Sequence, residues 1–264
     1  MQEMSISNKT EGYISNIQHF SIHDGPGVRT TIFFSGCSLR CKWCANPETW
    51  EKKENEKMSL MTMLEIVNSQ AIFHRTTEGG ITFSGGEATL QYAFLNEATA
   101  YFYKLGKHLT LETCGDFDFE KMRSVLRRFD LVYFDIKHMD IDLHQQLTGK
   151  GNMFILENLV KCIRLGINIV VRIPVIDPIH TEEVFCEKVI SFFKNHMISS
   201  DIELLPFHRF GDKKYDHLGL SRPDDGYHIP TQLQLEHMIN CFKENKIHAY
   251  VSHSDSNAYH DMIK

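Results

Sequence analysis

Three cysteines lie within eight residues, in Cys37-Ser-Leu-Arg-Cys41-Lys-Trp-Cys44. The CxxxCxxC spacing offers three thiolates to one centre and no fourth. A closed structural metal site takes four ligands, and a cubic iron–sulfur cluster held entirely by protein takes four cysteines. Three thiolates leave one metal with an open position, where an exchangeable ligand can bind and react. Thiolates suit iron–sulfur clusters, copper(I) and zinc. The competing reading is therefore a zinc site completed by one of the 15 histidines, although zinc motifs typically pair two CxxC-like halves.

The elements that position this loop can be read from the flanking pattern. Asp24-Gly-Pro-Gly27-Val-Arg29-Thr-Thr-Ile-Phe-Phe-Ser-Gly36 runs from a turn into a strand that ends at Cys37. The cysteine loop then stands at the C-terminal end of a strand, where α/β folds keep their active sites. Further along, short β-branched or aromatic runs alternate with longer amphipathic ones. The pattern predicts strands over 29–34, 80–83, 108–112, 131–136, 168–175 and 201–206, with a last strand over 247–252. It predicts helices over 60–73, 88–104, 118–129, 153–165, 182–195 and 231–244. Such alternation implies a parallel sheet with helices outside it. Pattern alone does not separate a partial barrel from a doubly wound sheet. Residues 51–57 read as a charged, solvated connection, and the polar segment 212–230, rich in turn formers, reads as a long loop.

Several other groups carry chemical potential. Ser84-Gly85-Gly86-Glu87 closes the second strand, where glycines let backbone approach a ligand closely; a tight turn would use the same residues. Asp135 and Lys137 are two apart, so on a strand they share a face and either form an ion pair or meet one ligand. Arg172 lies in an otherwise apolar strand and needs an anionic partner if buried. Glu112-Thr113 ends the third strand, and His208 follows the sixth. Asp24 needs no role beyond that of turn former before Gly25-Pro26-Gly27.

Asp24-Gly-Pro-Gly27, Gly36-Cys37-x-x-x-Cys41-x-Trp43-Cys44 and Gly85-Gly86-Glu87 together resemble the activating enzymes of glycyl radical enzymes, which are radical S-adenosylmethionine (SAM) enzymes. The resemblance runs from about Gly12 to His208 and is nearest to the pyruvate formate-lyase activating type. It implies an α/β fold, a partial (β/α)6 TIM-like barrel, in a single radical SAM core domain over 1–264 with a short N-terminal extension over about 1–11. It implies one [4Fe–4S] cluster on Cys37, Cys41 and Cys44, whose open iron is chelated by SAM. Reductive cleavage of SAM then gives methionine and a 5′-deoxyadenosyl radical, which takes hydrogen from a glycine of a partner enzyme. Pyruvate formate-lyase or a relative is the implied partner, and reduced flavodoxin or ferredoxin the implied electron donor. SAM contacts are implied at Trp43, against adenine, and at Gly85, Gly86, Glu87, Asp135, Lys137, Arg172 and His208. A monovalent cation is implied at Glu112, Thr113 and Asp135, although glutamate at 112 is one methylene longer than the family's acid. Asp24 is implied to receive the partner's glycine loop.

Alternatives within the same chemistry are an activase of anaerobic ribonucleotide reductase and a small-molecule radical SAM enzyme. The alternative from another class is a zinc-stabilised, non-catalytic binding module. Many activases carry a cysteine-rich ferredoxin insert after the cluster loop, but residues 45–84 contain no cysteine. Ferredoxin-type extra clusters are thereby excluded from that segment, even though Cys41-Lys-Trp-Cys44-Ala-Asn-Pro-Glu locally looks like the insert-bearing members.

Bulk properties set the remaining bounds. The chain has 264 residues, is 42% hydrophobic and carries a formal charge of −6, with a pI near 6.2. It has no basic stripe of the kind nucleic-acid binding uses. The longest apolar stretch, 167–176, is interrupted by Asn168, Arg172 and Pro174 and is too short for a bilayer. The polar opening 1–10 is unlike a secretory signal. An odd count of seven cysteines fits a reducing compartment, so a cytoplasmic protein is expected, and the resemblance implies a place in anaerobic metabolism.

Overall fold

The computed structural model describes residues 10–222 and 226–252. They fall into two compact units. One comprises residues up to Ser38, Glu48–Thr113 and Phe117–Val132; the other comprises Leu39–Pro47, Cys114–Asp116 and the chain from Tyr133 onward.

The first unit contains β1 (Glu11–Ser21), β2 (Arg29–Phe34), β3 (Lys57–Ser59), α1 (Leu60–Asn68), α2 (Ala71–Thr76), β4 (Gly80–Gly85), α3 (Tyr92–Lys104), β5 (His108–Thr113) and α4 (Phe119–Leu126). Its strands run in the order β3-β1-β2-β4-β5. β2, β4 and β5 are parallel, and β1 is antiparallel to both β2 and β3. Alternation decides what each face does. Ile32, Phe34, Ile81, Phe83, Leu109 and Leu111 point one way and are fully buried. Thr31, Thr82 and Thr110 stand in register on the other face, which is therefore polar. Arg29, also fully buried, closes the N-terminal end of that face. Its guanidinium donates to Thr82 Oγ1 (3.0 Å), Thr110 Oγ1 (2.8 Å) and the Ile81 carbonyl (2.7 Å).

The second unit contains α5 (Ile141–Thr148), α6 (Met153–Arg164), β7 (Ile169–Val175), α7 (Glu183–His196), β8 (Asp201–Pro206), α8 (Asp212–Leu218), α9 (Gln232–Glu244) and β9 (Ala249–Val251), with β6 (Leu131–Asp135) beginning in the first unit and ending in the second. β7, β8 and β9 are parallel. Ile169, Val171, Ile173 and Val175 of β7 are buried, as are Ile202 and Leu204 of β8. The opposite face carries Arg172, Glu203 and Tyr250 in direct register.

All six main strands lie where the pattern placed them, with ends shifted by two residues or fewer. The departures are local. The expected helix 60–73 is two, because Ser69 turns the chain: its hydroxyl donates to the Ile66 carbonyl (2.7 Å) and its N–H to Glu65. The expected helix 88–104 starts as a 3-10 turn, with α3 beginning only at Tyr92. The segment 212–230 is not a continuous loop, since α8 occupies its first third. β1 and α5 were not anticipated. The final strand is confined to Ala249–Val251.

Each unit buries a neutral imidazole. Nε2 of His74 meets Thr30 Oγ1 (2.9 Å), and burial, followed by the nearby Lys107 and Arg29 charges, lowers its pKa to about 4. The Ile176 N–H donates to Nδ1 of His180 (3.2 Å), so Nε2 carries the proton and donates to the Lys137 carbonyl (2.8 Å). Burial first, and then the neighbouring His138 and Lys137, lower the His180 pKa to about 3. In the unfolded chain both rings protonate near 6.5. Below that pH the unfolded state binds more protons, so stability present at pH 7 is lost as pH falls from 6.5 towards 4. The expected loss is up to about 1.4 kcal/mol per pH unit for each ring. Urea unfolding at pH 7, 6 and 5, with the His C2–H resonances followed by NMR, checks this. Titration of either ring near 6.5 in the folded protein would contradict it.

Candidate active site

The first unit holds Asp24, Cys37, Gly85, Gly86, Glu87, Glu112 and Thr113. Cys37 stands three residues beyond Phe34, the end of β2, and its N–H donates to the Trp50 carbonyl (3.1 Å), while the Gly36 N–H donates to the Thr49 carbonyl (2.7 Å). Gly85-Gly86-Glu87 is stitched to the same approach. The Gly86 N–H donates to the Phe34 carbonyl (2.7 Å) and the Glu87 N–H to the Gly36 carbonyl (2.8 Å). A Cβ on Gly86 would sit 2.4 Å from the Gly36 oxygen, so the double glycine lets two backbones touch just before Cys37. Glu87 is buried and its carboxylate is engaged within the fold, accepting from Thr89 Oγ1 (2.6 Å) and Thr113 Oγ1 (2.9 Å). Glu112 accepts from Ser84 Oγ (2.5 Å). Both acids thus brace strand ends.

Asp24 is a structural anchor at the other end of β2. Its carboxylate accepts from Ser21 Oγ (2.5 Å) and Thr31 Oγ1 (2.6 Å), and its carbonyl accepts from Thr82 Oγ1 (2.7 Å). The Asp-Gly-Pro-Gly turn is thereby folded onto the polar face of the sheet.

The second unit holds Cys41, Trp43, Cys44, Asp135, Lys137, Arg172 and His208. Cys41 is buried and Cys44 half-buried, and neither is in a disulfide. Trp43 packs edge-on against His180 (5.7 Å) and Tyr227 (6.5 Å), over a small core of Leu147, Ile176 and Phe207. Lys137 Nζ pairs with Asp135 (2.9 Å). Burial alone would lower the Lys137 pKa, but Asp135 and then Cys41 hold it well above the usual value, so the ammonium is a fixed positive charge near that thiol. Arg172 has the anionic partner its burial demands. Its Nε lies 2.6 Å from Glu203, and its guanidinium stacks 3.4 Å above the Tyr133 ring. His208 stacks on Phe210 (4.8 Å), its pKa is lowered by burial, and its buried Nδ1 has no hydrogen-bond partner among the described residues.

Among the described residues no three Cys, His, Asp or Glu side chains converge on a point that could hold a single metal ion. A cubic cluster asks for something else, since each of its thiolates binds a different iron. Three closely spaced cysteines outside any disulfide, an ammonium near Cys41 and an unpartnered imidazole nitrogen at His208 suit an anionic cluster and a polar ligand.

The radical SAM superfamily model matches residues 31–186, which span the cysteine loop and six of the strands described. The chain also aligns with the 4-hydroxyphenylacetate decarboxylase activating enzyme of Clostridioides difficile at 31% identity, covering 95% of this chain and 99% of that one. The chain belongs to the radical SAM superfamily, among its glycyl-radical-enzyme activating enzymes.

Members of this superfamily use a [4Fe–4S] cluster and SAM. A second relative is the pyruvate formate-lyase-activating enzyme of Clostridium pasteurianum, 33% identical over 79% of this chain and 87% of its own. The alignment with the decarboxylase activase runs over 314 positions, more than the 264 residues of this radical SAM chain, so at least 50 of its positions have no counterpart here. The fold is shared with a domain of the pyruvate formate-lyase-activating enzyme from Bacteroides vulgatus (TM-score 0.56, 23% identity, covering 66% of this chain and 98% of that one). It is also shared with a radical SAM methyltransferase from Sphaerobacter thermophilus (TM-score 0.64, 14% identity, covering 91% and 77%). The fold class is thus the α/β, partial TIM-like barrel class of radical SAM proteins. No helix among the described residues is long and apolar enough to cross a membrane.

Sequence reasoning missed the supports: Thr31 and Thr82 under Asp24, Glu203 beside Arg172, and His180 and Tyr227 around Trp43. Only Glu203 left a signal, as an acid between Ile202 and Leu204 in an expected strand; its register with Arg172 comes from the sheet.

Proposed function

We propose that this enzyme, a single radical SAM core domain over 1–264, installs a radical on a glycine of a partner glycyl radical enzyme. The partner is pyruvate formate-lyase or a relative of it. The observation that carries the reading is the three-cysteine loop at the end of β2 in a chain that aligns over nearly its whole length with such activases. In this reading Cys37, Cys41 and Cys44 hold a [4Fe–4S] cluster. Gly85, Gly86, Trp43, Asp135, Lys137, Arg172 and His208 hold SAM, with Glu87 bracing the glycines. When bound, the two groups supply reductive cleavage of SAM and hence the agent that takes the glycine hydrogen.

The chain's own residues have separable tasks. Lys137 neutralises negative charge near Cys41, and Asp135 keeps it protonated. His208 offers an unsatisfied ring nitrogen to a ligand. Arg172, already satisfied by Glu203, adds a rigid cationic wall rather than a mobile arm. Asp24 shapes the turn that receives the partner's loop. Reduced flavodoxin or ferredoxin supplies the electron, in the cytoplasm, with no role for nucleic acid or membrane. A decarboxylase of the 4-hydroxyphenylacetate type is the second partner class, supported by the 95% and 99% coverage.

Electron paramagnetic resonance of the anaerobically reconstituted, reduced protein, with and without SAM, tests the assignment. A [4Fe–4S]⁺ signal that changes on adding SAM is expected, followed by a glycyl radical when a partner is added. With Asp24→Ala the SAM-dependent change should remain while the glycyl radical yield falls. A colourless protein containing zinc would overturn the proposal.

A further inference from the structure

The stretch 40–46, which carries Cys41 and Cys44, is held on two sides within the second unit. On one side the end of α5 accepts its backbone: the Arg40 N–H donates to the Thr148 carbonyl (2.7 Å) and the Lys42 N–H to the Leu147 carbonyl (3.0 Å). On the other side stands α8. The Tyr215 hydroxyl donates to the carbonyl of Cys44 itself (2.8 Å), and Lys214 Nζ donates to Asn46 Oδ1 (2.7 Å). Tyr215 is only 2% exposed, so its hydroxyl is committed to the cysteine loop rather than to water. Between these supports the loop turns on itself, with the Cys44 N–H donating to the Cys41 carbonyl (3.1 Å).

We propose that Tyr215 is a positioning residue for the iron–sulfur cluster, fixing the backbone of Cys44 so that its thiolate is presented in the geometry the cluster needs. The proposal rests on the assignment of Cys44 as a cluster ligand. Two physical points favour it. A ligand on a loop is held precisely only if its backbone is fixed by neighbours that are themselves packed, and Tyr215 is a buried residue of a helix. A charge-carrying ligand set also gains from outer partners that restrict its motion, and loss of such partners typically costs about 10–100-fold in metal affinity. Tyr215 acts through the Cys44 main chain, whose carbonyl its hydroxyl holds.

The test compares the reconstituted full-length protein with Tyr215→Phe, which removes the hydroxyl and keeps the ring. Iron release to a ferrous chelator is timed under anaerobic conditions, and the reduced cluster is examined by electron paramagnetic resonance. Release about 5–10-fold faster is expected from Tyr215→Phe, the loss of one buried hydrogen bond expressed in the rate, with an altered spectrum in the presence of SAM. Tyr101→Phe is the control. It removes a hydroxyl on α3 that accepts from Asn68 (3.0 Å), and it should release iron at the unmodified rate. If Tyr215→Phe does not fold, Lys214→Met breaks the neighbouring tether and should accelerate release in the same direction. Iron retention and spectrum identical to the unmodified protein, in a folded Tyr215→Phe, would overturn the positioning role. Failure of the unmodified protein to take up any cluster would instead overturn the ligand assignment beneath it.

Discussion

Alanine at Cys37, Cys41 or Cys44 is expected to reduce iron content and SAM cleavage to background, each substitution alone having the full effect. The reason is stoichiometric. Three thiolates are already one short of the four that a fully protein-ligated cluster takes, so a further loss leaves two irons without protein ligands. Metal binding and the local fold are also coupled. The informative control is Cys162→Ala. Cys162 is fully buried in α6, and burial pushes its thiol up to about 12; it is a small hydrophobe and not a ligand. Its loss should cost about 1–2 kcal/mol of stability through a small cavity and leave the iron content unchanged. Anaerobic iron and sulfide analysis, with 5′-deoxyadenosine quantified chromatographically, reads both arms. Full SAM cleavage in any of the three loop variants would refute the ligand set.

Gly85→Ala is expected to destabilise the fold by at least about 4 kcal/mol, a size reserved for backbone conflict or severe packing damage. Gly85 has φ +111°, and a Cβ there would lie 2.2 Å from the Phe34 nitrogen and 2.4 Å from its oxygen. Neither backbone atom can move without breaking the parallel pairing of β2 with β4. Gly106 separates the two contributions. It also has positive φ, +64°, but nothing lies within 4 Å of its Cβ position. Gly106→Ala should therefore cost only the conformational penalty of about 1–2 kcal/mol. Chemical unfolding of the two variants measures the difference. Similar costs at both sites would show that the approach of Gly85 to Phe34 is not tight in solution.

Much of this architecture was legible before any coordinates. Runs such as Arg-Thr-Thr-Ile-Phe-Phe and Asp-Ile-Glu-Leu-Leu-Pro coincide with β2 and β8, because β-branched and aromatic residues fit a pleated, half-buried surface. β1 was hidden for the converse reason. Glu-Gly-Tyr-Ile-Ser-Asn-Ile-Gln-His-Phe-Ser alternates poorly, its register with β2 shifts twice, and most of its side chains remain at least partly exposed. α8 was concealed by its turn-forming neighbours: Asp212 opens it and Gly219, at φ +65°, closes it. The site shows the same divide. Spacing made Cys37, Cys41 and Cys44 visible as a set, and the paired residues Asp135 and Lys137 do meet at 2.9 Å. What it left open was how each charge is satisfied. Arg172 could be read as reaching for an anionic ligand, whereas Glu203 already faces it. No rule of spacing along one strand reveals a partner on the next, since that depends on register.

One feature of β2 has a bearing on how such enzymes diversify. The Asp24 carboxylate meets the strand at Thr31, and Cys37 departs beyond Phe34, so three to six residues, on the order of 10–20 Å of extended chain, lie between them. In the proposed reading, the turn that would meet the partner and the loop that would hold the cluster are thus joined by a largely buried strand rather than by shared side chains. Selection can rework the contact surface without retuning the redox centre. A lineage of activases could in this way acquire new clients while inheriting its radical chemistry unchanged.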